Sequence, residues 1–181
     1  MYFFMGDIDS IPDVIKKMQY EDGYLIPYGN KQKAIAKYYE DLFNVPNFYP
    51  VMPEAQIYID SENNSYGIKT DISGTFDALF AFKDSNGSIK LSCRDWKTNK
   101  SLENDYNKNF GVTLLEPFNT AEFINQPKSI YTIQLSLYQL GIEQLGYEVV
   151  DRKLLWLTED GEYHKIDVQD VREKLINKLS E

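Results

Sequence analysis

The stretch RDWKT at 94–98 ends a run of strand-forming residues and places Asp95 and Lys97 two positions apart, with Trp96 between them. Alternate side chains of a strand point to opposite faces, so the carboxylate and the ammonium would share one face at a spacing of about 6 to 7 Å. The pair has two interpretations: a solvated ion pair near a strand end, or a general acid or base beside a metal ligand. A lone D-x-K pattern is common, so the residues around it must decide.

A second acid, Asp77, lies on the preceding strand of a predicted hairpin. If residues 85–87 form a three-residue loop and Gly87 supplies the positive φ that such loops need, Asp77 lies directly opposite Asp95. The same face would then carry Leu79, Ala81, Leu91 and Cys93. The opposite face would carry Phe76, Phe80, Phe82 and Trp96. A two-residue loop would instead put the aspartates on opposite faces, and the site would need a bulge.

Two carboxylates opposed on neighbouring strands repel each other unless a cation lies between them. Sites made of oxygen ligands suit Mg²⁺ or Mn²⁺, which take one or two carboxylates from a protein and keep several waters. Lys97, on the same face, could orient or deprotonate a water or stabilise a developing negative charge. This set predicts phosphodiester cleavage; the alternative is a strand-end salt bridge with an aspartate nearby by chance.

Further candidate residues lie on both sides of the hairpin. Gln134 and Tyr138 are four residues apart on a predicted helix, so they share a face from which polar groups could reach a phosphate. Glu54 begins a strand-like run upstream and could add a third carboxylate. Its alternative interpretation is an ordinary exposed glutamate after Pro53.

The stretches GTFD at 74–77, DWKT at 95–98 and QLSLY at 134–138 occur in this order along the chain. The ordered set resembles the G-x-x-D, D-x-K and Q-x-x-x-Y motifs of the PD-(D/E)XK nuclease superfamily, in its RecB-like exonuclease branch. The resemblance covers roughly residues 54–157. It implies an α/β (α+β) fold with a central mixed sheet flanked by helices, a restriction-endonuclease-like core, and DNA as the substrate.

The resemblance also implies a role for each candidate residue. The metal ligands for Mg²⁺ or Mn²⁺ would be Asp77, Asp95, the Trp96 backbone carbonyl and, as the upstream acid, Glu54. Lys97 would be the catalytic lysine. Gln134 and Tyr138 would lie near the scissile phosphate or the DNA backbone. A phage or mobile-element origin, in DNA recombination, repair or processing, would fit this class.

One departure from the family pattern limits what can be transferred. Many members carry a histidine on the first core helix, whereas the comparable stretch YGNKQKAIAKYYEDLF at 28–43 has none. His164 lies too far along the chain to replace it and is expected on the surface of a strand. The missing histidine favours an alternative function, a catalytically inactive nuclease-fold adaptor that binds nucleic acid or protein, while the complete D-x-K argues against it. A phosphohydrolase acting on nucleotides is a third hypothesis.

The elements that must position these residues can be predicted from hydrophobic periodicity and turn signals. Helices are expected at 10–20, 31–43, 129–145 and 169–178, and strands at 55–60, 66–72, 75–83, 88–96, 153–158 and 162–168. Gly74 should interrupt the strands before 75, a polar loop should occupy 97–119, and Gly146 should end the third helix. The apolar side of that helix would carry Ile130, Ile133, Leu137 and Leu140.

Composition sets the outer limits. A chain of 181 residues predicts one domain, 1–181, and its single cysteine excludes an internal disulfide or a four-cysteine metal site within the chain. The net charge of −9 argues against a broad nucleic-acid surface, but it allows a small site in which metal ions neutralise acids. With no signal peptide or membrane span in the sequence, we expect an intracellular, cytoplasmic protein. Its compactness suggests that a partner protein or a homo-oligomer completes the grip on DNA.

Overall fold

The computed structural model describes residues 29–103, 117–118 and 123–181. In chain order the elements are α1 (Gly29–Phe43), β1 (Phe48–Ile59), β2 (Ile72–Lys83), β3 (Ile89–Lys97), α2 (Pro127–Glu143), β4 (Val149–Leu157), β5 (Tyr163–Asp167) and α3 (Arg172–Leu179). The predicted helix at 10–20 and most of the predicted loop at 97–119 lie outside the described residues. None of the helices described is long and apolar enough to cross a membrane.

The five strands form one open mixed sheet in the order β1-β2-β3-β4-β5. Neighbouring strands are antiparallel except for β3 and β4, which are parallel. A parallel pair needs a crossover connection, and α2 lies in the chain between these two strands. The predicted fold class, α+β with a central mixed sheet flanked by helices, is confirmed.

The helices form layers on both faces of the sheet. The successive β4 residues Leu154 and Leu155 point to opposite faces and belong to separate cores. The α1 side contains Tyr38, Leu42, Ala78, Phe80 and Leu155. The α2 side contains Phe76, Leu91, Cys93, Leu135, Tyr138 and Leu154. A third cluster lies between α2 and α3, with Ile133, Leu137, Leu140, Leu175 and Leu179.

Helix α2 is therefore buried on two sides, not on a single stripe. Leu135 and Tyr138 face the sheet, while Leu137 and Leu140 face α3. Ile130, predicted on the buried side, is 42% exposed, so that part of the prediction was wrong. A helix covered by both a sheet and a second helix has two apolar faces, which a one-sided pattern does not represent.

Strand β1 begins at Phe48, seven residues before the predicted start, and runs through Pro50 and Pro53. Prolines are tolerated there because β1 lies at the edge of the described sheet, where a missing backbone N–H need not face a neighbouring strand. A register shift between Pro50 and Met52 marks a bulge in the same strand.

The predicted strand at 66–72 and the predicted break at Gly74 were wrong. Strand β2 starts at Ile72 and continues through Gly74. Ahead of it, the Asn64 side chain closes a local turn, since its Oδ1 accepts hydrogen bonds from the backbone N–H groups of Tyr66 at 3.0 Å and Ile68 at 2.9 Å. Such side-chain bonds offer the backbone an alternative to a sheet ladder.

Candidate active site

The turn between β2 and β3 has the geometry that the sequence predicts. The backbone N–H of Asp84 donates to the Ser88 carbonyl at 3.0 Å, and Gly87 has a φ of 80°. Asp84 Oδ1 also accepts from the N–H groups of Asn86 at 2.8 Å and Ser88 at 2.9 Å. The resulting register pairs Leu79 with Cys93 and Ala81 with Leu91, as predicted.

The hydrogen-bonded ladder between these strands ends at Ala78 and Arg94. Beyond it, continuing the register sets Asp77 opposite Asp95, and the Trp96 backbone N–H donates to Asp77 Oδ2 at 2.6 Å. The carboxylate of Asp77 thus takes the place of a backbone acceptor. The two strands are therefore joined at this level through the acid itself.

The alternation of β2 shifts at the same level. Phe76 packs on the α2 side with its ring centroid 5.9 Å from that of Tyr138, whereas Ala78 and Phe80 pack on the α1 side. The prediction that Phe76 shares a face with Phe80 was therefore wrong, since strict alternation does not hold between Phe76 and Ala78. The prediction that Phe80 and Trp96 share a face was correct, since both lie in the core on the α1 side.

Asp95 and Lys97 lie on the α2 side of the sheet, and Asp77 lies beside Asp95 where the ladder ends. Asp95 is 2% exposed and forms an ion pair with Lys97, whose side chain is also largely buried. Burial, and then the negative charge of the neighbouring Asp95, raise the pKa of Asp77 to about 6. Among the described residues, the two neighbouring acids and the ammonium paired with Asp95 therefore carry an excess of negative charge in a largely buried place.

That excess of negative charge fits a divalent cation. Asp95 Oδ2 is buried and accepts no hydrogen bond from the described residues beyond its ion pair with Lys97. The Trp96 carbonyl leaves the strand on the same side as its N–H, toward Asp77, because both groups of a strand residue point the same way. No third His, Cys, Asp or Glu joins a metal-binding group in the described ranges. Two carboxylates with waters are a common protein ligand set for Mg²⁺.

The backbone of Glu54 lies beside Asp77 on the neighbouring strand, but its side chain is exposed. Its neighbours Pro53 and Ala55 pair with Ala78 and Phe76, which sets Glu54 at the register position opposite Asp77. The residue has a φ of 46°, in the left-handed region, and is exposed. Its role as a third ligand stays a prediction.

Gln134 and Tyr138 form a hydrogen-bonded pair on α2, in which Gln134 Nε2 donates to the Tyr138 hydroxyl at 2.5 Å. The Tyr138 ring lies across Gly74, where an added Cβ would come within 2.9 Å of the hydroxyl oxygen and closer still to the ring. Gly74 is thus required by close approach and not by a special φ. This contact brings the first and third sequence motifs together, three residues from Asp77.

Sequence reasoning missed Tyr131. The Nζ of Lys97 lies 4.1 Å from the centroid of the Tyr131 ring, and the Tyr131 hydroxyl donates to Asn99 Oδ1 at 2.9 Å. Its spacing could have indicated it. Tyr131 lies three residues before Gln134 and seven before Tyr138, so all three residues share one face of the helix.

The amino end of α1 lies at the carboxyl end of β3, where Lys31 Nζ donates to the Thr98 carbonyl at 3.0 Å. This is the helix in which the family pattern would place a histidine. His164 lies on β5, exposed, with its ring 5.6 Å from that of Trp156, as the sequence predicts for a surface residue.

No family model and no curated protein matches this chain. Its function must therefore be inferred from the geometry of the site and the motifs that compose it.

Proposed function

We propose that this protein is a divalent-metal-dependent deoxyribonuclease of the RecB-like PD-(D/E)XK type, acting as an exonuclease on DNA. The proposal is carried by one observation: Asp77 and Asp95 lie side by side where the β2–β3 ladder ends, with the ammonium of Lys97 paired to Asp95. A purely structural site would need only the hydrogen bond that Asp77 accepts from the Trp96 N–H, which a neutral side chain could also accept, whereas two adjacent carboxylates repel each other.

In this mechanism Asp77 and Asp95 hold Mg²⁺ or Mn²⁺, with the Trp96 carbonyl and, once its side chain turns inward, Glu54. When bound, such an ion polarises the phosphate and lowers the pKa of a coordinated water. Asp95 also holds the ammonium of Lys97, which orients the attacking water and stabilises negative charge developing on the phosphate oxygens.

The Gln134–Tyr138 pair supplies the contact to the DNA strand. Its amide and hydroxyl are already joined by a hydrogen bond, so both groups have a defined position beside Gly74 before substrate binds. A fixed donor set aimed at a phosphate loses little conformational entropy on binding.

The net charge of −9 limits the nonspecific grip on DNA, which a partner protein or a homo-oligomer would supplement. An intracellular location belongs to the same proposal.

A second candidate is a nuclease-fold adaptor that binds nucleic acid or protein without cleaving it. It is favoured by the exposed side chain of Glu54 and by the absence of a third converging ligand within the part of the chain that the structure describes. The same fold would then keep the acid pair without turnover.

Cleavage assays on linear and circular DNA with Mg²⁺, Mn²⁺ or EDTA separate these candidates. We expect metal-dependent digestion of linear DNA, with Asp77→Ala and Lys97→Ala each lowering the rate by about 10³-fold or more, since metal and general acid–base contributions are of this size. Asp167→Ala and Lys37→Ala, at exposed positions outside the site, are the matched controls and should retain the wild-type rate.

Circular dichroism must show that each variant is folded. Metal-dependent digestion that persists in Asp77→Ala would refute the site, and binding of DNA without cleavage would select the adaptor. Hydrolysis of mononucleotides with no action on polymers would identify a nucleotide phosphohydrolase instead.

A further inference from the structure

Lys97 is held by two contacts. Its side chain is 14% exposed and its ammonium forms an ion pair with Asp95. The ammonium also lies over the face of the Tyr131 ring, with a distance of 4.1 Å from Nζ to the ring centroid. A cation within about 6 Å of an aromatic face is attracted by the ring quadrupole, more strongly when it is desolvated.

Tyr131 is itself fixed by an anchor outside its own helix. Its hydroxyl donates to Asn99 Oδ1 at 2.9 Å, and the Asn99 backbone carbonyl accepts a hydrogen bond from Trp156 Nε1 at 2.7 Å. Asn99 comes two residues after Lys97, so the chain that carries the lysine is tied at one point to both α2 and β4. The orientation of the ring is therefore set by the same segment that carries the ammonium.

Holding a lysine side chain in one place has a substantial cost, because its four-carbon stem loses most of its rotamer entropy when it is fixed. The ion pair with Asp95 alone would leave the stem free to approach from several directions. The Tyr131 ring restricts the stem by contact, and its attraction for the cation favours one position of Nζ. An apolar side chain of similar volume would fill the same space without attracting a cation.

We propose that Tyr131 is a positioning residue for Lys97: its ring face holds the ammonium at Asp95, and its hydroxyl fixes the ring through Asn99. The consequence for turnover rests on the nuclease function proposed above, whereas the consequence for the position of Lys97 does not.

The first test measures position by NMR on protein labelled with ¹³C at lysine. The ε-methylene signal of Lys97, assigned by its loss in Lys97→Arg, should be shifted upfield by the ring current of Tyr131. The shift should remain in Tyr131→Phe and disappear in Tyr131→Leu. Tyr147→Leu, at a position 58% exposed before β4, is the matched control and should leave the signal unchanged.

The second test measures turnover at saturating Mg²⁺. Tyr131→Leu should lower kcat about tenfold with KM changed less than about twofold, and Tyr131→Phe should restore most of kcat because it keeps the ring face. A general loss of folding would instead reduce the active fraction of Tyr131→Leu and broaden its whole spectrum, which thermal unfolding of the same sample detects.

An unshifted Lys97 signal in the wild type, or the same shift in Tyr131→Leu, would overturn the proposal. So would a kcat in Tyr131→Phe as low as that in Tyr131→Leu while the Lys97 signal of Tyr131→Phe stays shifted, since a ring face held at the ammonium would then do nothing for turnover. If the wild type cleaves no DNA, the nuclease proposal fails, and the NMR shift still decides whether Tyr131 holds Lys97.

Discussion

Arg94 and Asp95 are neighbours on β3, are both almost fully buried, and belong to opposite faces of the sheet. On the α1 side the Arg94 guanidinium donates to both carboxylate oxygens of Asp151, at 2.9 Å and 3.3 Å. On the α2 side Asp95 pairs with the ammonium of Lys97, and a second acid, Asp77, lies beside Asp95. One face carries a balanced pair and the other an excess of negative charge.

The pKa values of Asp151 and Asp77 are shifted in opposite directions accordingly. Burial alone would raise the pKa of Asp151, but the hydrogen bonds and charge of Arg94 outweigh it, so the pKa is lowered. For Asp77, burial and the charge of Asp95 act in the same direction and raise the pKa to about 6. Burial of charge is thus common to both faces, and charge balance is what separates a structural pair from a site suited to a cation.

The largest effect is expected from breaking the balanced pair. Arg94→Met should lower the free energy of unfolding by about 3 kcal/mol, because Asp151 would lose the guanidinium that bonds both its oxygens and keep the more distant ammonium of Lys153, at 3.7 Å. In thermal unfolding this corresponds to a fall in Tm of roughly 6 to 12 °C. Asp77→Asn, which removes the excess charge, should leave Tm unchanged or raise it. A larger loss of Tm in Asp77→Asn than in Arg94→Met would invert the comparison.

A smaller effect is expected from adding metal without DNA. Mg²⁺ at about a hundred times its Kd should stabilise the wild type by about 2.7 kcal/mol, because it binds the folded state alone. Differential scanning fluorimetry should show this rise in Tm for the wild type and for Arg94→Met, but not for Asp77→Asn. Equal responses in all three proteins would place the ion elsewhere.

The smallest effect is a pH dependence of the metal-free protein. The pKa of Asp77 is raised in the folded state, so its contribution to stability is fully present below about pH 4 and is lost as the pH rises through about 6. The loss should be about 1 kcal/mol, because the carboxylate is partly solvated. Urea unfolding between pH 4 and 7 should show this slope in the wild type, and Asp77→Asn should lack it. A slope that persists in the variant would assign it to another group.

The hairpin could be predicted from local chemistry alone. Gly87 accepts the positive φ and Asp84 closes the loop through its own side chain, so the register that opposes Asp77 and Asp95 follows from a few consecutive residues. The position of Phe76 could not be predicted in this way. It depends on the Tyr138 ring occupying the space over Gly74, a contact between distant parts of the chain.

The same distinction applies to the candidate site residues. The meeting of Asp95 with Lys97 follows from alternation on β3, and the meeting of Asp95 with Asp77 follows from the register that the loop sets. The pairing of Gln134 with Tyr138 follows from helical spacing. The contact of Tyr131 with Lys97 joins two elements through tertiary packing, which no local pattern encodes. The function inferred from these residues stays a prediction until activity is measured.

Cys93, buried in the core on the α2 side, gives the molecule an internal probe of opening. Its side chain is fully buried and burial raises the pKa of the thiol to about 12, so a maleimide or disulfide reagent cannot react with it in the closed state. Since the chain has no other cysteine, the labelling rate of the unmodified protein would report how often the layer between the sheet and α2 separates. An engineered thiol at the surface could likewise be labelled selectively with a dye, without removing the native one.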